Sequence, residues 1–175
     1  INIVDAEKIE GYVKENEIDY IYSVGSDIAV PTFCRVAERL NMFHFVSGKT
    51  AEICCNKHLM RETLGMDNPF NVPFMVCKTL AEAKNADFYP LMIKPVDSQG
   101  QRGIFKAENF EELSRHFDCA MDYSRCGKVI LEKHISGSEV SVNAYVKDGE
   151  IIFSMLSDRE SFRNLPGGII KAHHL

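Results

Sequence analysis

Residues 91–104 read LMIKPVDSQGQRGI. An apolar run ends in Lys94 and Pro95, a polar loop holding Gly100 and Gly103 follows, and the chain turns apolar again at Ile104. Two readings compete. One is a solvated hairpin with an edge lysine; the other is a strand that delivers an ammonium group to a flexible loop able to close over a phosphate chain. Phosphates need positive charge and backbone N–H groups that approach closely, and glycine permits that approach. Lys94, Arg102 and Lys106 concentrate charge here. A lone motif of this kind is weak, so the flanking segments decide.

Downstream, GIFKA reads as a strand. NFEELSRHFDCAMDYS has an Asn109 cap and apolar residues at Phe110, Leu113, Phe117, Ala120 and Met121, the spacing of a helix of about four turns. KVILEKHI is a further strand, and EVSVNAYVKDGEIIFSMLSD alternates on both sides of Asp148-Gly149, a hairpin signal. Upstream, VPFMVC is a strand and TLAEAKNA a short helix. The order β-α-β-β-α-β over residues 72–135 predicts a compact α+β subdomain.

Pro69 and Pro73 mark a linker before it. Further back, the run after Ser47 predicts one N-capped helix from about Lys49 to Leu64, closed by Gly65. Residues 28–40 trace a helix with Pro31 in its first turn, and residues 5–16 trace another behind Asp5. Between them IDYIYSVGSD reads as a buried strand ending in a glycine turn. Together these make a helix–strand–helix unit of the doubly wound α/β kind.

The bounds are simple. The chain has 175 residues, 45% hydrophobic and 26% charged, and a formal net charge of −5. That is a globular profile, unsuited to a protein that mainly grips nucleic acid, and no apolar stretch is long enough to span a bilayer. The chain opens mid-pattern at Ile1 and stops at IIKAHHL without a cap, so a fragment of a longer polypeptide is expected. Six cysteines occur with no C-x-x-C pair, which favours reduced thiols and a cytoplasmic setting. Cys54, Cys55 and His58 lack the paired spacing of a zinc site. SGKT at 47–50 fails as a phosphate loop, because the pattern needs glycine where Phe43 stands.

Three runs in order, NKHLMRETL, YPLMIKPVDSQGQRGI and VILEKHISGSEVSV, resemble the ATP-grasp superfamily, and the likeness covers essentially the whole chain. The resemblance implies α/β and α+β architecture: a partial pre-grasp α/β domain over 1–47, a linker helix over 48–71, the small grasp subdomain over 72–135, and the start of the large subdomain, truncated, over 136–175. Carried over residue by residue, it implies that Lys57 and Lys94 meet ATP phosphates. Ser98, Gly100 and Gly103 would form the flap above them. Glu132 and Lys133 would meet the adenine, with the backbone of His134 and Ile135 close by, and Glu139 would take the ribose hydroxyls.

The activity so implied is ligation. ATP activates a small carboxylate as an acyl phosphate, which an amine or similar nucleophile attacks, with Mg2+ as the metal and its ligands expected beyond residue 175. Catalytic residues are not assigned, and no metal ligand is assigned within the chain. The closest members in character are biotin carboxylase, the carbamoyl-phosphate synthase large chain and glycinamide ribonucleotide synthetase, with amino-acid ligases left open. Arg159, Lys171, His173 and His174 fall where relatives contact substrate or phosphate. No nucleic-acid or membrane partner is implied. Many relatives dimerise, so a homo-oligomer is admitted without being set. The alternatives are a non-catalytic nucleotide-binding or regulatory module with the same fold, and an interaction domain without nucleotide.

Overall fold

The structure is a computed structural model and describes residues 1–162 and 169–175. These divide into two units, Ile1–Val76 and Cys77–Leu175, and each is taken by itself.

In the first unit, α1 (Ala6–Glu15) starts at Asp5, whose carboxylate accepts the Lys8 N–H. α2 (Val30–Arg39) has its proline in the first turn, as expected, and buries Phe33, Cys34, Val36 and Ala37. Phe33, Cys34 and Ala51 form a small core with Ile21, Val30 and Val46 around it.

The single helix expected over 49–64 is two helices, α3 (Gly48–Cys55) and α4 (Lys57–Leu64). The break is Asn56, extended at φ −125° and ψ 112°. Its side-chain oxygen accepts the N–H groups of His58 and Leu59 at 3.0 and 3.2 Å. A short amide offers the backbone a partner that competes with continued helix, and apolar periodicity does not register it. Gly48 matters for a different reason. A β-carbon there would lie 3.2 Å from the Arg35 Cα, so the start of α3 approaches α2 more closely than a larger residue allows.

The buried strand expected in IDYIYSVGSD is not formed; residues 18–24 lie outside every helix and strand. Exposure still alternates: Tyr20, Tyr22 and Val24 are exposed, whereas Ile21 and Ser23 are half-buried. The period was legible, but a strand also needs hydrogen-bonding neighbours, and no described segment supplies one here.

In the second unit the elements follow as β1 (Phe74–Cys77, entering from the first), α5 (Leu80–Ala83), β2 (Leu91–Pro95), β3 (Phe105–Ala107), α6 (Phe110–Asp122) and β4 (Val129–Lys133). The sheet order is β1-β4-β2-β3. β2 is antiparallel to both neighbours, pairing Ile93 with Phe105 on one side and with Leu131 on the other. α6, capped by Asn109, buries Leu113, Phe117 and Ala120 and packs against β2, β3 and β4.

A second sheet, of order β5-β6-β7, consists of β5 (Val140–Lys147), β6 (Glu150–Ser161) and β7 (Ile170–His174). Asp148 and Gly149 turn the β5–β6 hairpin at φ 52° and 83°, the two positive values that the Asp-Gly pair predicts. His173 and His174 lie on β7. No helix among the described residues is long and apolar enough to cross a membrane.

Candidate functional site

Strand parity sorts the first sheet into two faces. Leu91, Ile93 and Pro95 of β2 are buried while Met92 and Lys94 are half-buried. Residues directly opposite on paired strands share a face, so Phe105, Ile93 and Leu131 lie on one side. That side faces α6, because Phe105 stacks on His116 with ring centroids 4.4 Å apart. The other side carries Lys106, Met92 and Glu132 in one row, with Lys94 and Ile130 in the next.

Across that face, Lys94 Nζ donates to Glu132 Oε2. The Glu132 side chain is 3% exposed and that of Lys94 23%. A buried carboxylate requires a partner. Lys94 supplies one, and part of its side chain remains exposed to solvent.

The loop after β2 is fixed at its base and open at its tip. Asp97 Oδ1 accepts the Ser124 hydroxyl at 3.2 Å and the Arg125 N–H at 3.1 Å, and Oδ2 accepts the Cys126 N–H at 3.0 Å. Arg125 also donates to the Asp97 carbonyl. The Ser98 hydroxyl turns inward to the Arg102 carbonyl at 3.4 Å. Gly100, Gln101 and Gly103 have φ 65°, 59° and 68°. A β-carbon on Gly100 would meet nothing within 4 Å, so open space surrounds the tip, as close approach to a ligand requires.

The remaining predicted residues are placed as follows. Lys133 points away from the Lys94 face, as its parity with Glu132 demands, and its amino group donates to the Tyr89 carbonyl. The His134 N–H donates to the Pro90 carbonyl at 2.9 Å. Ile135 is 67% exposed. Glu139 meets Arg159 twice, through Oε2 to Nη1 at 3.5 Å and through its carbonyl to the Arg159 N–H at 2.9 Å. Lys57 opens α4 in the first unit and is half-buried. The structure thus joins Lys94 to Glu132, with Ser98, Gly100 and Gly103 on the loop that β2 feeds, and directs Lys133 elsewhere.

Sequence reading missed Asp97 and the Glu139–Arg159 link. Asp97 looks like ordinary loop polarity, and its partners stand 27 to 29 residues later, a distance no local pattern spans. Arg159 and Lys171 were read as substrate- or phosphate-contact candidates, without their acidic partners; Lys171 bonds Glu160 at 2.5 Å, and the other Glu160 oxygen meets His174 Nε2 at 3.0 Å. The lysine's hydrogen bond, with the histidine behind it, holds the Glu160 carboxyl below its ordinary value of 4.5.

Magnesium prefers a near-octahedral set of oxygens. Among the described residues no group of three or more His, Cys, Asp or Glu side chains is placed to hold a metal ion, so these residues do not fit a resident magnesium site.

Solved structures with the same fold include an L-amino acid ligase from Bacillus licheniformis, with TM-score 0.71 at 20% identity over 91% of this chain and 38% of that one. Another is the biotin carboxylase domain of the Hydrogenobacter thermophilus 2-oxoglutarate carboxylase, in complex with MgADP, ADP and bicarbonate. Its TM-score is 0.71 at 23% identity, over 94% of this chain and 39% of that one. The fold is that of the ATP-grasp proteins.

Within that class, the chain belongs to the family described as D-ala D-ala ligase C-terminus, whose model matches residues 72–160, just over half of it. A D-alanine–D-alanine ligase from Heliobacterium modesticaldum is 28% identical over 147 residues, which cover 78% of this chain and 37% of that protein. The chain therefore spans well under half the length of these relatives. Sequence reading reached the superfamily and named biotin carboxylase and glycinamide ribonucleotide synthetase, both of which are among the similar proteins, while leaving amino-acid ligases open.

Proposed function

We propose that the chain is the nucleotide-holding part of an ATP-dependent carboxylate–amine ligase of the cytoplasm, one that activates a small carboxylate as an acyl phosphate for attack by an amine. Among its relatives, the names D-alanine–D-alanine ligase and L-amino acid ligase favour an amino acid as the carboxylate. The observation that carries the reading is the Lys94–Glu132 pair on the sheet face away from α6, at the foot of a loop with three left-handed residues.

In this reading Lys94 and Lys57 meet the phosphates, and the loop with Ser98, Gly100 and Gly103 closes over them. Fixed charge and backbone donors stabilise transferring phosphate without rearranging during the reaction. The backbone after Glu132, with Lys133, His134 and Ile135, meets the adenine. Since Pro90 already accepts the His134 N–H, the Ile135 N–H is the donor left for the ring. Glu139 takes the ribose hydroxyls, steadied by Arg159. Magnesium enters only with the nucleotide, and no step is drawn through it. The division into 1–47, 48–71, 72–135 and 136–175 belongs to the same proposal.

The test is calorimetric titration of the chain with ATP and magnesium, beside the double variant Lys94→Met/Glu132→Gln, which removes the ammonium together with the buried charge it faces. Binding that weakens by about tenfold, or 1.4 kcal/mol, is the expected result. Equal binding by both proteins overturns the role of Lys94, and no binding by either overturns the nucleotide reading for this chain.

A further inference from the structure

The loop between β2 and β3 stands on two feet, and one short turn holds both. At the first foot the Asp97 carboxylate, 15% exposed, accepts the Ser124 hydroxyl and the Arg125 and Cys126 N–H groups. At the second foot Gly103 lies against Tyr123, whose Cδ2 and Cβ stand 2.9 and 3.1 Å from the place of the missing β-carbon. Residues 123–126 thus meet the loop where it leaves β2 and again where it returns toward β3.

The turn is itself fixed. Ser124 Oγ, which donates to Asp97, accepts the Lys128 N–H at 3.0 Å, and the Lys128 carbonyl accepts the Val96 N–H at 3.3 Å. The Arg125 guanidinium reaches back to the Asp97 carbonyl. A carboxylate that takes three donors from one turn makes charge-assisted bonds, the stronger kind, and holds its own backbone in place. The turn continues α6, whose C-cap is Tyr123, and α6 packs against β2, β3 and β4. Both feet are therefore referred to the sheet that carries Lys94. Between them the Ser98 hydroxyl turns to the Arg102 carbonyl within the loop, and open space surrounds Gly100.

We infer that the turn at residues 123–126 positions the loop over the phosphates of a bound nucleotide, with Asp97 and Tyr123 as positioning residues that act through the loop. The inference deepens the ligase reading and rests on it for the identity of the ligand. A loop free at both ends loses the freedom of every residue when it closes on a ligand, and that loss weakens binding. With both feet held, the ordering falls on residues 98–102, and the backbone N–H groups of the tip swing on a fixed base toward the Lys94 face.

The test is NMR titration of the nitrogen-15-labelled chain with ATP and, separately, with adenosine, both with magnesium. Adenosine has no phosphates for the loop to cover. Asp97→Asn, which spoils the three-donor acceptor at constant shape, and Tyr123→Ala are each expected to weaken ATP about tenfold and to leave adenosine within about twofold. A role confined to stability moves both ligands or neither, so the ratio of the two affinities is the readout. Without nucleotide, relaxation of the Gly100 and Gly103 amides should show larger fast motions in both variants. Should Asp97→Asn not fold, Ser124→Ala removes one donor of the three and should change the same ratio about threefold.

The inference is overturned if the variants weaken ATP and adenosine equally, if they change neither, or if the Gly100 and Gly103 amides stay as rigid as in the unaltered chain. The ligase reading fails separately. ATP that binds the unaltered chain no more tightly than adenosine removes the phosphate site and the inference with it. Tighter binding of ATP, with the same ratio in the variants, removes the inference alone.

Discussion

Gly103 sits between Pro95 and Tyr123: a β-carbon on it would come within 3.0 Å of Pro95 Cγ and 2.9 Å of Tyr123 Cδ2. The glycine also holds φ 68°, where other residues are strained. Two independent reasons exclude a side chain where the glycine loop returns to the sheet. Gly103→Ala is expected to lower stability by about 1–3 kcal/mol, read as a shift in urea midpoint. Gly100→Ala, with open space around the β-carbon but φ 65°, should cost only about 1 kcal/mol. Equal costs at the two positions would show that packing against Tyr123 contributes nothing.

Lys94 and Glu132 should be non-additive. Lys94→Met alone removes the ammonium partner of a carboxylate with 3% exposure, a loss of about 2–3 kcal/mol, below the range for fully buried pairs because Lys94 itself reaches solvent. Adding Glu132→Gln should recover much of that. Urea unfolding of the two single variants and the double variant measures the coupling; costs that simply add would mean that the pair is not a unit.

Asp97→Ala removes the acceptor for the Ser124 hydroxyl and the Arg125 and Cys126 amides. A loss of about 2 kcal/mol is expected. Faster hydrogen exchange at the amides of residues 125 and 126 would locate the effect at the base of the loop, whereas unchanged exchange there would remove Asp97 as its anchor.

The buried thiol of Cys77 makes stability depend on alkaline pH. Burial, aided by the nearby Glu82 carboxylate, raises its pKa from 9.0 to about 11. The folded state therefore holds the proton more tightly than the unfolded state does. Its contribution is complete below pH 9 and is lost as pH rises toward 11. Urea midpoints measured from pH 8 to 11 should fall, and Cys77→Ala should flatten that fall. Thiol labelling at pH 8 should reach the exposed Cys54, Cys119 and Cys126 quickly, and Cys34 and Cys77 only on unfolding.

What sequence could and could not reveal follows the range of the interactions. α1, α6 and the Asp148-Gly149 hairpin were legible because their caps, periodicity and turn residues act within a few positions. The division of α3 from α4 is also local, but it lies in one Asn56 side chain rather than in periodicity. Lys94 and Glu132 were each picked out by motif, yet their pairing depends on a strand register that joins residues 38 apart. The pairing of Glu160 with Lys171 and His174 required the β6–β7 register, which no stretch of sequence states.

Glu132 and Lys133 are neighbours tied to opposite sides, one by the Lys94 ammonium and the other by the Tyr89 carbonyl. The strand end between them is pinned across its thickness before anything binds. Ordering a loose backbone costs about 1–2 kcal/mol per residue, a penalty that weakens any ligand gripping mobile chain. A molecule that reads the peptide groups at this strand end meets them already immobilised, so affinity there is governed by fit rather than by the freezing of the chain.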